Sequence, residues 1–312
     1  MKKKFKISIL LLLIAVSAGC TKYVQKDGKN VIYSETGQTL TANIVCKPSN
    51  GKLYDLYKLN EDKLSFKLDK LPYCTDYKLT KGEFSDLWDL FVKPLAYIIL
   101  KLGYFVQNMG VAVMLIGLLI RVVMLPVSKK TALQSELMKS AQPELKKIEK
   151  KYKDKTDSES MMAKSQETMM VYKKYKINPI SGCVLSLIQL PLFFAFLEAI
   201  NRSPAIFQGS FLGMKLGMTP WVGLSNHNFI YIGLILLIVS STYFAFKNSM
   251  SSQPVGESNK QMQFMIKFMI VFIGVASLSL PTAIALYWII TNVFAVGQNI
   301  IIKKISEKRK QG

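Results

Sequence analysis

Apolar residues in this chain gather into long runs, and the lysines gather between them. The first run, Ile7 to Ala18, follows the basic start "MKKKFK". It is too short for a hydrocarbon core of ~30 Å and predicts a signal peptide over residues 1–19. Five later runs, 104–127, 180–200, 229–246, 264–280 and 283–302, are long enough to span a bilayer with modest tilt. Between 84 and 103, apolar and aromatic residues alternate with Asp86, Asp89, Lys93 and Lys101. This stretch predicts an amphipathic helix lying along the outer interface. Residues 20–83 are polar, with short alternating stretches such as "KNVIYS" and "TLTANIVC", and predict a small, partly β segment.

The insert at 128–179 has a different period. Leu133, Leu137, Ala141, Leu145, Ile148 and Tyr152 recur every three or four residues, "DKTDSES" is a turn signal, and a weaker stripe of Met162, Met169, Tyr172 and Tyr175 follows. Two helices joined by a short turn form a helical hairpin. Pro143 is expected to kink or restart the first of them. The fold class that follows is an all-α integral membrane protein. It has five transmembrane helices, an amphipathic outer interfacial helix, a cytoplasmic helical hairpin and a small extracellular N-terminal segment.

Charge supplies the orientation. The 312 residues carry a formal charge of +21, which in a soluble chain would suggest nucleic acid as partner. Here "SKK", "ELKKIEKKYKDK", "VYKKYK" and the tail "KKISEKRK" all fall on one side of the membrane once the N-terminus is placed outside. By the positive-inside rule that side is the cytoplasm. The loops at 201–228 and around 281 are then outside, and 247–263 and the tail 303–312 inside. The insert from Lys129 to Lys176 has a surplus of six positive charges. It reads either as a solvated, topology-setting loop or as a contact surface for anionic head groups, the ribosome or a targeting receptor.

Four cysteines are present. The signal ends in small residues followed by Cys20, as in a lipoprotein signal cleaved before a lipidated thiol, although Ser17 stands where such signals usually carry Leu. An ordinary signal peptide or an uncleaved anchor is the other reading. Cys46 and Cys74 share the outer segment, as a disulfide or as two free thiols. Cys183 opens a membrane helix and reads as a small packing residue.

The chemistry of an enzyme is missing from the pattern. No run resembles a metal site, a phosphate loop or a nucleophile with its base, and the single histidine, His227, lies in an outer loop. No cofactor is expected. The ionisable and polar groups inside the apolar runs carry the remaining information. Lys267 is close to an inner end and snorkels. Arg121, in "GLLIRVVMLPVSKK", lies deeper, with its Cα roughly 7–10 Å inside the boundary at 126–128. It either snorkels or faces a water-filled cavity between helices.

Four stretches bear on that choice: "GLLIRVVMLPVSKK", "AQPELKKIEKKY", "YKKYKINPISGCVLSLIQLPLFFAF" and "LPTAIALYWIITNVFAVGQNIIIKK". Their order and spacing resemble the YidC/Oxa-type membrane protein insertases, over about residues 84–303. A lipoprotein signal followed by five spans is similar to the Gram-positive form. The resemblance implies that Arg121 stands in a hydrophilic intramembrane groove and receives acidic residues of a translocating tail. It extends less firmly to Gln189, Trp288 and Asn292. Where relatives carry glutamines late in the third span, "SSTYFAFKNSM" offers Ser241, Thr242 and Asn248. The implied partners are nascent membrane proteins, the Sec translocon and the lipid bilayer. The basic hairpin adds the ribosome and the signal-recognition-particle receptor. Against an insertase stand a membrane-anchored recruitment protein and a small channel or transporter; the last would need repeats or ion-coordinating carboxylates that the sequence does not offer.

Overall fold

The computed structural model describes residues 21–49, 51–79, 84, 88–178, 181–251 and 257–311, so the signal peptide and Cys20 lie outside the described residues. These residues pack as two compact units. The first takes the chain up to Gly117 with Gln189–Ile235 and Ser277–Trp288. The second takes Leu118–Ile188, Leu236–Ala276 and the chain from Ile289 onward.

In the first unit the outer segment has a core of its own. Strands β1 (Gln25–Lys26) and β2 (Lys29–Asn30) pair antiparallel, as do β3 (Ile32–Tyr33) and β4 (Gln38–Thr39). The first pair turns through Asp27 and Gly28, both at positive φ, the Asp-Gly chemistry a two-residue hairpin favours. Helix α1 (Lys52–Leu59) lays Leu53 and Tyr57 against Val24, Leu40, Ala42, Ile44 and Leu68, all buried. Cys46 and Cys74 are joined in a disulfide across a sequence separation of 28. The segment docks on the loop after residue 201: the Val45 N–H donates to the Arg202 carbonyl, and the Thr219 N–H to that of Thr36.

Helix α2 (Asp89–Phe105) inverts the pattern of a water-soluble helix. Its buried face carries Asp89 and Lys93 among Val92, Ala96, Ile99 and Leu100, while Leu90, Phe91, Ile98 and Phe105 are exposed. Two charges inward and large apolar groups outward, with Lys101 exposed near the helix end, suit a surface covered by lipid. The chain breaks at 106–108, where Gln107 takes φ 54°, and the Asn108 side chain accepts from the Val111 N–H to start helix α3 (Met109–Val123). The sequence reading ran a single span from 104; the structure divides it here.

In the second unit, α3 ends one residue before helix α4 (Leu125–Lys151), and the two are bent by 64°. Pro126 explains the break: it has no N–H to continue α3 but fits the first turn of α4. Helix α4 then runs unbroken through Pro143, where the sequence suggested a kink or restart. Helix α5 (Ser158–Lys174), capped by Asp157 on the Ser160 N–H, packs against it. Ala141, Leu145, Val171 and Ile177 form the core between them. Lys151 and Tyr152 meet Glu167, and Lys174 and Tyr175 meet Glu144, so the two helices run antiparallel.

The remaining elements are α6 (Ser181–Asn201), α7 (Pro204–Gln208), the antiparallel pair β5 (Ser210–Phe211) and β6 (Met214–Lys215), α8 (Pro220–Ser225), α9 (Ile230–Ser251), α10 (Glu257–Ala276) and α11 (Thr282–Gln311). Large apolar side chains are exposed along them, among them Phe194, Leu236, Phe244, Phe268, Phe272 and Ile301. Among the described residues, Ile230–Lys247 and Thr282–Ile305 are long and apolar enough to cross a membrane. The bent α3–α4 pair makes a third if it is one span, and Ile188–Asn201 and Ile266–Ala276 are apolar but shorter. The chain is therefore a mostly helical membrane protein with two to three such helices.

Candidate functional site

Arg121 stands in the last turn of α3, three residues before the break at Met124. The residue is half-buried and its Nε atom is fully buried. Its position suits a cation, since the unsatisfied carbonyls of a helix C-terminus carry the negative end of the macrodipole. Arginine also keeps its charge when partly desolvated, which a lysine does less reliably.

In the same unit, Ser241, Thr242 and Asn292 come together. The Asn292 Nδ2 donates to Thr242 Oγ1 at 3.0 Å and lies 3.4 Å from Ser241 Oγ. Thr242 is wholly buried and Asn292 nearly so. A primary amide between two hydroxyls ties α9 to α11 where neither helix offers a charge, as interhelical polar groups do in membranes. A second tie is Gln298 Nε2 to Ser128 Oγ at 2.7 Å. The side chain of Asn248 lies outside the described residues.

Gln189 and Trp288 belong to the first unit. Gln189 is half-buried on α6, two residues before Pro191. Trp288 is half-buried on α11, its ring edge-on to Phe193 at 5.3 Å, while Phe196 stacks on Tyr287 at 4.1 Å. These aromatic pairs fix α6 against α11 with geometry as well as area.

Sequence reasoning missed a second polar site in this unit, a buried ion cluster at the C-terminal end of α6. Arg202 forks between Asp89 Oδ1 and Glu198 Oε1, each at 2.5 Å. Lys93 Nζ lies 3.2 Å from Asp89 Oδ2. Trp88 Nε1 donates to Glu198 Oε2 at 2.6 Å, and Asn43 Nδ2 lies 3.5 Å from Glu198 Oε1. All four charged residues are at most 9% exposed, and the two carboxylates balance the two cations. Burial of four charges is tolerable only because each is paired and hydrogen-bonded. A signal was present: Asp89/Lys93 and Glu198/Arg202 are both opposite charges four residues apart, on one face of otherwise apolar helices.

Comparison with known proteins supplies the family. The family model described as 60Kd inner membrane protein matches residues 101–310. Among relatives, "Membrane protein insertase YidC" of Oceanobacillus iheyensis is 34% identical over 234 residues, 74% of this chain and 90% of the relative. "Membrane protein insertase YidC 2" of Listeria innocua is 34% identical, covering 77% and 79%. "Membrane protein insertase MisCA" of Bacillus subtilis is 33% identical, covering 69% and 79%. A match across α3 to α11, with relatives aligned over most of their own length, places the chain in the 60Kd inner membrane protein family, that of the YidC-type insertases.

Proposed function

We propose that this protein is a bacterial membrane protein insertase and chaperone, acting alone or beside the Sec translocon. The observation that carries it is the match of residues 101–310 to a family whose relatives are named insertases. It is not an enzyme in this reading, because no covalent bond is made or broken. Burial of the substrate's apolar helix in lipid drives insertion, at ~25 cal/mol per Å².

The working architecture has five membrane helices: α3 with the start of α4, then α6, α9, α10 and α11. Helix α2 lies along the outer interface. The α4–α5 pair projects into the cytoplasm as a basic hairpin, where it meets ribosome, targeting receptor or head groups. The N-terminal segment is outside and anchored by lipid on Cys20. The resemblance in sequence assigns Arg121, Gln189, Ser241, Thr242, Trp288 and Asn292 to a hydrophilic groove, with the buried Thr242 backing Asn292. Arg121 receives a carboxylate of the translocating tail; at an effective dielectric of ~20 and a separation of ~4 Å the attraction is about 4 kcal/mol. That is enough to recruit the tail and small enough to release it.

Liposomes containing only this protein, given a short single-span substrate, test the reading. Protease-protected substrate above that in empty liposomes is expected. Binding of substrate without protection would mark a recruitment protein instead.

A further inference from the structure

The ion cluster joins parts of the chain with different standing. Glu198 and Arg202 lie within the stretch that matches the family, whereas Asn43, Trp88, Asp89 and Lys93 precede it. The outer segment closes the cluster from outside: Asn43 reaches Glu198, and the Val45 N–H holds the carbonyl of Arg202 itself. Cys46, next in the chain, is stapled to Cys74, and the Lys47 N–H donates to Pro72. The stretch that touches the cluster is thus held by the segment's own core as well as by its contacts with α6.

Helix α6 needs such an anchor. Pro191 deprives it of one backbone hydrogen bond, so the helix alone does not fix the direction of its outer half. That half carries Phe193 and Phe196, which pack on Trp288 and Tyr287, and it ends in Glu198 and Arg202. From Phe193 to Glu198 is about 7.5 Å along the axis, a rigid lever of less than two turns.

We propose that the outer segment is a positioning strap. Through Asn43 and Val45 it closes the ion cluster of Asp89, Lys93, Glu198 and Arg202, and the cluster fixes the outer half of α6 and the Phe193 face that packs on Trp288. Its effect on insertion rests on the insertase reading; its effect on Trp288 does not. Asn43, Asp89, Lys93, Glu198 and Arg202 are positioning residues.

The chain has three tryptophans, one in the cluster (Trp88), one at the far end of the lever (Trp288) and one on α8 (Trp221). Full-length protein carrying 5-fluorotryptophan therefore gives three fluorine resonances, assigned by single Trp→Phe variants. Asn43→Asp sets a third carboxylate beside Glu198 without touching a membrane helix. It should move the Trp88 and Trp288 resonances, leave Trp221 in place and lower insertion at least about fivefold. Asn43→Ser, which gives up the reach to Glu198 but adds no charge, should move the Trp88 and Trp288 resonances in the same sense and by less. A Trp288 resonance that stays put while Trp88 moves overturns the strap, whether or not insertion falls. So does an Asn43→Ser variant that leaves both Trp88 and Trp288 unmoved. Movement of Trp288 with full insertion upholds the strap and overturns the role of Trp288 in the groove.

Discussion

Opening the Cys46–Cys74 bond should loosen the outer segment by an amount that follows from the loop it closes. With a sequence separation of 28, the chain-entropy relation gives about 12 cal/mol/K, or ~3.6 kcal/mol at 25 °C. Both sulfurs belong to buried residues, and the only compensation in view among the described residues on reduction is a weak thiol bond from Cys74 to the Lys47 carbonyl, 3.3 Å away. At 1.36 kcal/mol per decade, local opening becomes roughly 400-fold more frequent. The amides that report it are those of Val24, Val31 and Leu40, which donate to Leu40, Val24 and Val31 carbonyls around the segment's core. Hydrogen–deuterium exchange of the full chain, before and after a dithiol reductant, reads their protection, with alkylation confirming two new thiols. Exchange should accelerate by two to three orders of magnitude at these amides. A rise below about tenfold with both thiols confirmed would refute the reasoning, because docking on the 201–228 loop would then hold the segment without the staple.

Other perturbations have equally definite outcomes. Asp89→Asn removes the carboxylate that pairs with both Lys93 and Arg202; a loss of about 3–5 kcal/mol is expected in thermal or denaturant unfolding in detergent. Thr242→Val removes the better acceptor of Asn292 at constant shape and should cost ~1–3 kcal/mol in the same measurement. In the α4–α5 pair, hydrogen bonds from Lys174 and Tyr175 hold the Glu144 carboxyl below its usual range, and those from Lys151 and Tyr152 do the same for Glu167. A carboxyl whose folded value is depressed contributes stability above its unfolded value and loses it as pH falls. Protection across the pair, corrected for the intrinsic pH dependence of amide exchange, should therefore fall between about pH 5 and about pH 3 and stay flat from about pH 6 to about pH 8. Residues 133–172, deleted together, should impair insertion while the rest of the chain still folds, as read by a retained melting transition.

What the sequence made legible was what hydrophobic periodicity and charge can encode over short distances. The apolar runs, the period of Leu133 to Tyr152 and the isolation of Arg121 all belong to that class. The hydropathy of 104–127 concealed the corner at Gln107, because its positive φ is bought with neither glycine nor proline. Asn108 as a cap was its only mark. At Pro143 the helix α4 does not restart. The outer segment's core was illegible since its strands are two residues long, too short for alternation, although Asp27–Gly28 is a turn signal. The ion cluster was hidden for a different reason. Asp89 and Arg202 are 113 residues apart, and only the fold brings their complementary charges together.

The proposed groove role of Arg121 is most directly tested by crossing two variables in liposomes, the residue at 121 and the charge of the substrate's tail. Arg121→Ala should lower insertion of a substrate with an acidic tail at least about tenfold, and Arg121→Lys should keep most of it. A neutral tail should be nearly indifferent to either change. Equal loss for acidic and neutral tails, or no loss at all with Arg121→Ala, would contradict a cation that receives the tail and leave Arg121 as a topology signal.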